Sequence, residues 1–159
     1  MDTKSKIVNW EEALNKVEEW KSKGQKVVFT NGCFDIVHLG HVDYLEKARS
    51  LGDYMVLGLN TDASVSRIKG PLRPIVDQTS RSRVMASLAF VDLVVFFDEE
   101  TPYELINRLK PDILVKGNDY VAENIIGADV VIKNGGKVET IELVKGYSTT
   151  NIVNKIKAH

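Results

Sequence analysis

Cysteine, long apolar runs and excess charge are nearly absent from this chain of 159 residues. The one cysteine, Cys33, excludes an internal disulfide bond and fits the reducing cytoplasm, where we expect the protein to reside. Apolar runs such as Leu93–Phe97 are too short to cross a bilayer, so no membrane partner is expected. The formal net charge of −1 provides no broad positive field, which argues against nucleic acid as a partner.

Short apolar segments alternate with amphipathic segments along the whole chain. Apolar positions repeated at helical spacing predict helices, and short apolar runs predict strands. The expected helices are 10–23, 41–51, 63–69, 81–89, 102–110, 128–134 and one after Ser148, and the expected strands are 26–30, 54–59, 93–97, 113–116 and 137–143.

Five apolar strands separated by helices favour a parallel sheet that is covered on both faces. The predicted fold class is therefore α/β: a Rossmann-like, doubly wound, five-stranded parallel sheet with helices on both faces. The length of the chain suggests one domain, residues 1–159, with an N-terminal helix in 1–24 and a core in 25–157. Ligands of such sheets bind beyond the carboxyl ends of the strands.

Residues 28–41, Val-Phe-Thr-Asn-Gly-Cys-Phe-Asp-Ile-Val-His-Leu-Gly-His, join the first predicted strand to a helix. His38 and His41 lie at the helix start, where free backbone N–H groups and the helix dipole suit a polyphosphate, and Gly40 allows close approach. Histidines near helix starts are also common as caps or surface residues. A metal site on Asp35 and His38 is the weaker alternative, because no further ligands follow at a zinc spacing.

Hydroxyls and cations also follow later strands. Ser148 and the two threonines after it come after a glycine, where capping explains one hydroxyl but not three. Lys116 ends a buried strand, where an unpaired charge is costly, so a ligand is favoured over solvent. Arg81 opens a predicted helix at its positive end, which predicts an external anion as its partner. Lys69 lies in a polar segment, where lysines are usually solvated.

Two of these segments resemble signatures of the nucleotidylyltransferase superfamily, which includes the cytidylyltransferases. Residues 28–41 match the first signature, and residues 146–150 match the second, with Tyr147 where isoleucine is usual. The resemblance implies catalytic roles for His38, His41 and Lys69 on the nucleotide phosphates, and substrate binding by Arg81, Lys116 and Asp119. It implies nucleotide contacts from Thr30, Asn31, Gly32, Cys33, Phe34, Asp35, Gly40, Asn60, Lys116, Gly117, Ser148, Thr149 and Thr150.

Magnesium is the cofactor that this resemblance implies, held mostly by phosphates and water. The role of Asp35 stays open between orienting a histidine, touching the metal and stabilising the loop. Because relatives are often dimers, a homodimer is expected.

A closer resemblance covers residues 25–157 and adds the segments 58–62, 69–74 and 114–120. Together they are similar to the heptose 1-phosphate adenylyltransferase family of lipopolysaccharide synthesis. This implies transfer of AMP from ATP to D-glycero-β-D-manno-heptose 1-phosphate, giving ADP-heptose and pyrophosphate. The main rival is a glycerol-3-phosphate cytidylyltransferase, whose arginine before the second signature is replaced here by Leu143. A nucleotide-binding module without turnover is the alternative from another class.

Overall fold

A six-stranded parallel sheet forms the centre of the computed structural model, which describes residues 1–159. The strands are β1 (Ile7–Val8), β2 (Val27–Gly32), β3 (Tyr54–Asn60), β4 (Leu93–Phe97), β5 (Ile113–Gly117) and β6 (Lys137–Ile141). Their order across the sheet is β1-β4-β3-β2-β5-β6, and every neighbouring pair is parallel. The predicted α/β fold class is confirmed.

The sheet has one strand more than the five predicted. Ile7 and Val8 pair with Val94 and Val95 and extend the sheet beyond β4. Two residues are too few to show an alternation or an apolar run, so this edge strand left no readable pattern in the sequence.

Seven α-helices connect or flank the strands. They are α1 (Trp10–Ser22), α2 (Leu39–Arg49), α3 (Asp62–Lys69), α4 (Gln78–Ser87), α5 (Tyr103–Leu109), α6 (Ala128–Lys133) and α7 (Thr149–Lys157). Short 3₁₀ helices occupy Thr3–Lys6 and Ala122–Asn124. Each expected helix is present, although α4 begins three residues earlier than predicted, because Asp77 caps it by accepting from the Ser80 N–H. No helix combines the length and apolar character needed to span a membrane.

Two apolar layers bury the two faces of the sheet. On one face, α1, α5 and α6 pack over side chains such as Phe29 and Leu114. On the other face, α2 and α4 pack over side chains such as Val28 and Leu57. Strands covered on both sides must be apolar at nearly every position, which is why they were readable from the sequence.

The polar ends of the strands determine where a ligand can bind. The chain proceeds from β2 outward to β3 and β4 on one side, and to β5 and β6 on the other. The crevice between β2 and β5 is therefore the topological switch point, where α/β sheets bind ligands at their carboxyl edge.

Candidate active site

A cavity of about 660 Å³ lies at this switch point. It is lined by the carboxyl ends of β2 and β5, by the loops that follow other strands, and by the first residues of α2 and α7. All but two of the sequence-predicted site residues line it, namely Asn31, Gly32, Cys33, Phe34, Asp35, His38, Gly40, His41, Asn60, Lys69, Lys116, Gly117, Asp119, Ser148, Thr149 and Thr150. The two exceptions are Thr30 and Arg81.

His38 and His41 form a stacked pair at the start of α2. Nδ1 of His38 accepts from the Gly40 backbone N–H at 3.1 Å, which leaves the proton of the neutral ring on Nε2. The ring centroids of His38 and His41 are 3.9 Å apart. Burial lowers the pKa of His38, and burial together with the neighbouring His38 lowers the pKa of His41 to about 4. Both imidazoles are therefore neutral near pH 7 and can act as hydrogen-bond donors.

Two glycines provide the space for this pair. A Cβ at Gly40 would lie 2.9 Å from Cε1 of His38, so a larger residue would displace that ring. A Cβ at Gly32 would lie 2.9 Å from the ring of Phe34, which itself meets His41 edge to face at 5.2 Å. Phe34 has a φ of 46°, an unfavourable value for a bulky residue, and its burial holds it there.

The start of α7 supplies a second set of helix N–H groups at the cavity. Ser148 caps the helix by accepting from the Asn151 N–H at 3.0 Å. The Thr149 hydroxyl donates to the Ile36 carbonyl at 3.4 Å and thereby joins α7 to the loop that carries the histidines. Thr150 is exposed at the cavity. Capping and anchoring thus account for two of the three hydroxyls, and the third is available to a ligand.

Lys116 is a half-buried cation without a salt bridge. Its Nζ lies 3.4 Å from the Asn31 carbonyl oxygen and 5.5 Å from the centre of the Tyr120 ring. Burial lowers its pKa to about 8, while Asp119 acts in the opposite direction. The lysine is still mostly protonated at pH 7, and it lines the cavity without a salt bridge, with the carboxylate of Asp119 offsetting its charge only in part. Lys69, the last residue of α3, also lines the cavity and is exposed.

Thr30, predicted to contact the nucleotide, does not line the cavity in this structure. It is fully buried, and its hydroxyl is bonded to the Tyr44 hydroxyl at 2.7 Å and to the Val115 carbonyl at 3.0 Å. It joins β2 to β5 and α2 beneath the cavity. The local sequence could not reveal this, because both partners are distant in the chain.

Arg81, predicted to bind the substrate, does not line the cavity in this structure and has only internal partners. Its side chain is fully buried, and every guanidinium nitrogen donates within the protein. The acceptors are the carbonyls of Val76, Cys33 and Asn60 and the carboxylate of Asp62, all within 2.7–3.0 Å. Because α4 begins at Gln78, Arg81 lies one turn into the helix, and its partner is internal.

Asp35 holds a loop in place. Its carboxylate accepts from Arg73 Nε at 2.7 Å and from the backbone N–H groups of Ile75 and Val76. Burial acts to raise the pKa of Asp35, but these hydrogen bonds and the Arg73 charge lower it overall. Its oxygens are thus occupied by three donors, and no cluster of three or more acidic, histidine or cysteine side chains is placed to hold a metal ion.

The Cytidylyltransferase-like family model matches residues 29–155. The chain belongs to the cytidylyltransferase-like family. It is accordingly a nucleotidyltransferase, with the two helix starts and the stacked histidines inside the matched region.

The chain aligns over nearly all of its length with one segment of longer proteins. The chain is 57% identical to the bifunctional protein HldE of Magnetococcus marinus and 53% identical to that of Geobacter metallireducens, over 96% and 98% of its own length. The aligned segments are 31% and 32% of those proteins, so the chain spans about a third of their length.

Two solved structures resemble this cytidylyltransferase-like fold. The lipopolysaccharide core biosynthesis protein from Thermoplasma volcanium GSS1 is 31% identical with a TM-score of 0.63, over 79% of this chain and 100% of that one. The pantoate-beta-alanine ligase of Francisella tularensis is 18% identical with a TM-score of 0.58, over 96% of this chain and 78% of that one, which shows a shared fold alone.

Part of the cavity wall had no signal in the sequence. Glu100, Thr101 and Pro102 approach from the loop after β4, and residues 124–126 approach from the second 3₁₀ helix. These loops carry no signature and reach the cavity only through the tertiary fold.

We predict that Arg81→Met lowers the free energy of unfolding by about 3 kcal/mol or more, because it leaves buried carbonyls without donors and Asp62 without its partner. Urea denaturation measures this change. Arg83→Met is the matched control: Arg83 is exposed on the same helix, with one 3.5 Å contact to Thr3, and should change stability by less than about 0.5 kcal/mol. Equal stabilities of the two variants would contradict the internal role of Arg81.

We predict that the His41 imidazole titrates near pH 4 in the ligand-free protein, against an ordinary value of 6.5. Between these values the unfolded chain binds more protons, so the contribution of His41 to stability is complete above pH 6.5 and is lost as the pH falls to about 4. Imidazole NMR signals followed against pH measure the midpoint, and His41→Gln should flatten the loss of stability in this interval. A midpoint at the ordinary value would show that the ring is solvated.

Proposed function

We propose that this cytidylyltransferase-like chain transfers the adenylyl group of ATP to D-glycero-β-D-manno-heptose 1-phosphate, forming ADP-heptose and pyrophosphate. The observation that carries the proposal is the 57% identity to a bifunctional protein HldE across 96% of the chain. The likeness to a lipopolysaccharide core biosynthesis protein supports the same assignment. The single free cysteine and the use of ATP support a cytoplasmic reaction.

The proposed reaction needs no strong base. A phosphate oxygen of the sugar 1-phosphate attacks the α-phosphorus of ATP, and the bond to the β-phosphate oxygen breaks as pyrophosphate leaves with the electron pair. The attacking oxygen is already ionised at pH 7. Catalysis therefore depends on bringing two anions together and stabilising charge on the transferred phosphorus.

The nucleotide phosphates are assigned to the cavity side formed by the starts of α2 and α7. His38 and His41 donate to the α- and β-phosphates, and the α7 N–H groups with Thr150 bind the β- and γ-phosphates. Lys69, on a flexible stem at the end of α3, neutralises further phosphate charge. Lys116 is assigned to the acceptor phosphate, because it is the half-buried cation at the switch point that forms no salt bridge.

Magnesium is proposed to enter with ATP as part of the substrate. The residues present do not form a side-chain metal site, since Asp35 is occupied by three donors and no other cluster of ligands exists. Phosphate oxygens and water are then its ligands, as is common for Mg²⁺ bound with a nucleotide.

A panel of donors and acceptors tests the proposal. Purified protein with Mg²⁺ is mixed with ATP or CTP and with heptose 1-phosphate or glycerol 3-phosphate, and pyrophosphate is measured. We expect strong preference for ATP with heptose 1-phosphate, and a kcat lower by about 10²–10³ for the control His41→Ala. Turnover of CTP with glycerol 3-phosphate at an equal or higher rate would assign the rival activity, and nucleotide binding without turnover would assign a binding module.

Lys116→Met is expected to lower kcat/KM for the sugar phosphate by roughly 10- to 100-fold, the scale of a hydrogen bond to a charged group. KM for ATP should change much less. The melting temperature should stay the same or rise, because the substitution removes a half-buried charge that forms no salt bridge. Lys133→Met, an exposed lysine on α6, is the control and should leave both quantities unchanged. A large fall in melting temperature with kcat/KM intact would make Lys116 structural.

A further inference from the structure

Asn31 has an amide that the protein leaves unused. Its Oδ1 is buried without a hydrogen-bond partner, and the residue lines the cavity at the end of β2. The other buried side-chain atom without a partner is Nδ1 of His41, in the same cavity. Because buried polar groups are nearly always bonded, an exception at the wall of a cavity leaves a hydrogen-bonding position open to whatever fills that cavity, water or ligand.

The comparison with Asn60 shows that this is not a general property of the strand ends. Asn60 ends the neighbouring strand β3, and its Nδ2 donates to the Ser64 hydroxyl at 3.0 Å while its Oδ1 lies 3.8 Å from Cys33 Sγ. The amide of Asn60 is thereby fixed by internal bonds. No internal bond fixes the amide of Asn31, so rotation about χ2 can turn either its oxygen or its nitrogen toward a ligand.

The backbone around Asn31 gives its side chain a defined position. Asn31 pairs with Gly58 of β3, and a Cβ at Gly58 would lie 3.2 Å from the Asn31 Cβ. On the other side of β2, the Lys116 ammonium lies 3.4 Å from the Asn31 carbonyl. The Asn31 amide and the Lys116 ammonium thus line the same cavity, from the ends of the two strands that flank the switch point.

The chemistry of these two groups limits what binds between them. Ionised phosphates offer only hydrogen-bond acceptors, which suits Lys116 but leaves the amide oxygen without a donor. A hydroxyl is both donor and acceptor and satisfies either end of an amide. Lys116 and Asn31 together thus suit a sugar phosphate that carries a hydroxyl on the carbon next to the phosphorylated one.

We propose that Asn31 binds the acceptor hydroxyl adjacent to the phosphate that Lys116 holds, so that Asn31 selects sugar 1-phosphates with a 2-hydroxyl. This deepens the proposed function and rests on it. It assigns Asn31 to the acceptor, whereas the family resemblance implied a nucleotide contact. The ribose of ATP also carries hydroxyls, so the two sources must be separated by experiment.

The test combines Asn31→Ala with acceptors and donors that lack one hydroxyl. We measure kcat/KM for the sugar 1-phosphate and its 2-deoxy analogue with ATP, and then with 2′-deoxy-ATP and 3′-deoxy-ATP. Asn31→Ala should lose about tenfold on the full acceptor, the scale of one hydrogen bond between uncharged groups, and nothing further on the 2-deoxy acceptor. Its melting temperature should match that of the wild type, because no internal bond is removed. Asn107→Ala, an exposed asparagine on α5, is the control.

Each other outcome overturns the assignment. If Asn31→Ala lowers kcat/KM with the 2-deoxy acceptor but not with 2′-deoxy-ATP or 3′-deoxy-ATP, the amide binds a ribose hydroxyl of the nucleotide. An equal loss with every substrate pair, or a lower melting temperature, would show a structural role. The donor and acceptor panel on the wild-type protein is measured first. If the wild type uses no sugar 1-phosphate in that panel, the proposed function itself is rejected.

Discussion

The buried guanidinium of Arg81 holds together the segments from which the cavity is built. Parallel strands end at this edge with carbonyl groups that no further strand can satisfy, and Arg81 donates to two carbonyls there, that of Asn60 at the end of β3 and that of Cys33 just after β2. A third carbonyl, from Val76, belongs to the loop that Asp35 also fixes. An arginine offers five N–H donors in one rigid plane, so it can satisfy all three and still pair with Asp62. Arg81 thereby fixes the beginning of the loop that follows β2 and leads to both histidines, through its hydrogen bond to the Cys33 carbonyl.

The cations of the site divide into two groups by their partners. Arg81 and Arg73 are paired with Asp62 and Asp35, and they act on the shape of the cavity. Lys116 and Lys69 form no salt bridge, and their charge is directed at whatever enters. The division follows the chemistry of the side chains, since a planar fork is suited to bridging several fixed acceptors, whereas a single ammonium on a flexible stem follows a mobile phosphate. With a net charge of −1, the protein thus places two cations without salt bridges at the cavity without being basic as a whole.

The sequence predicted those features that depend on residues close together in the chain, and it did not predict those that depend on distant partners. The apolar strands and the His-x-Gly-His segment were readable because burial on both faces and helix-start geometry act on neighbouring residues. The internal partners of Arg81 and Thr30 were not predictable, because they lie far away in the chain, at Asn60 and Val115 for example. The same reason hid the loop residues 100–102 and 124–126, which approach the cavity from strands on opposite sides of the switch point. Asp35, whose role was open, is resolved by bonds that span about forty residues.

The stacked histidines show how a binding site for anions can remain uncharged until it is filled. Two protonated imidazoles 3.9 Å apart would repel each other, and burial adds to that cost, so the empty pair is neutral. A polyphosphate bound against the two rings favours their protonation, because its negative charge raises the pKa of each ring that it contacts. Stabilisation is then greatest when the phosphate carries most charge, which for nucleotidyl transfer is the moment at which pyrophosphate separates. Donors of this kind bind the transition state more strongly than the ground state, whereas permanently charged groups at the same positions would bind both. In the proposed reaction, we therefore assign the neutral pair to rate and the lysines to binding.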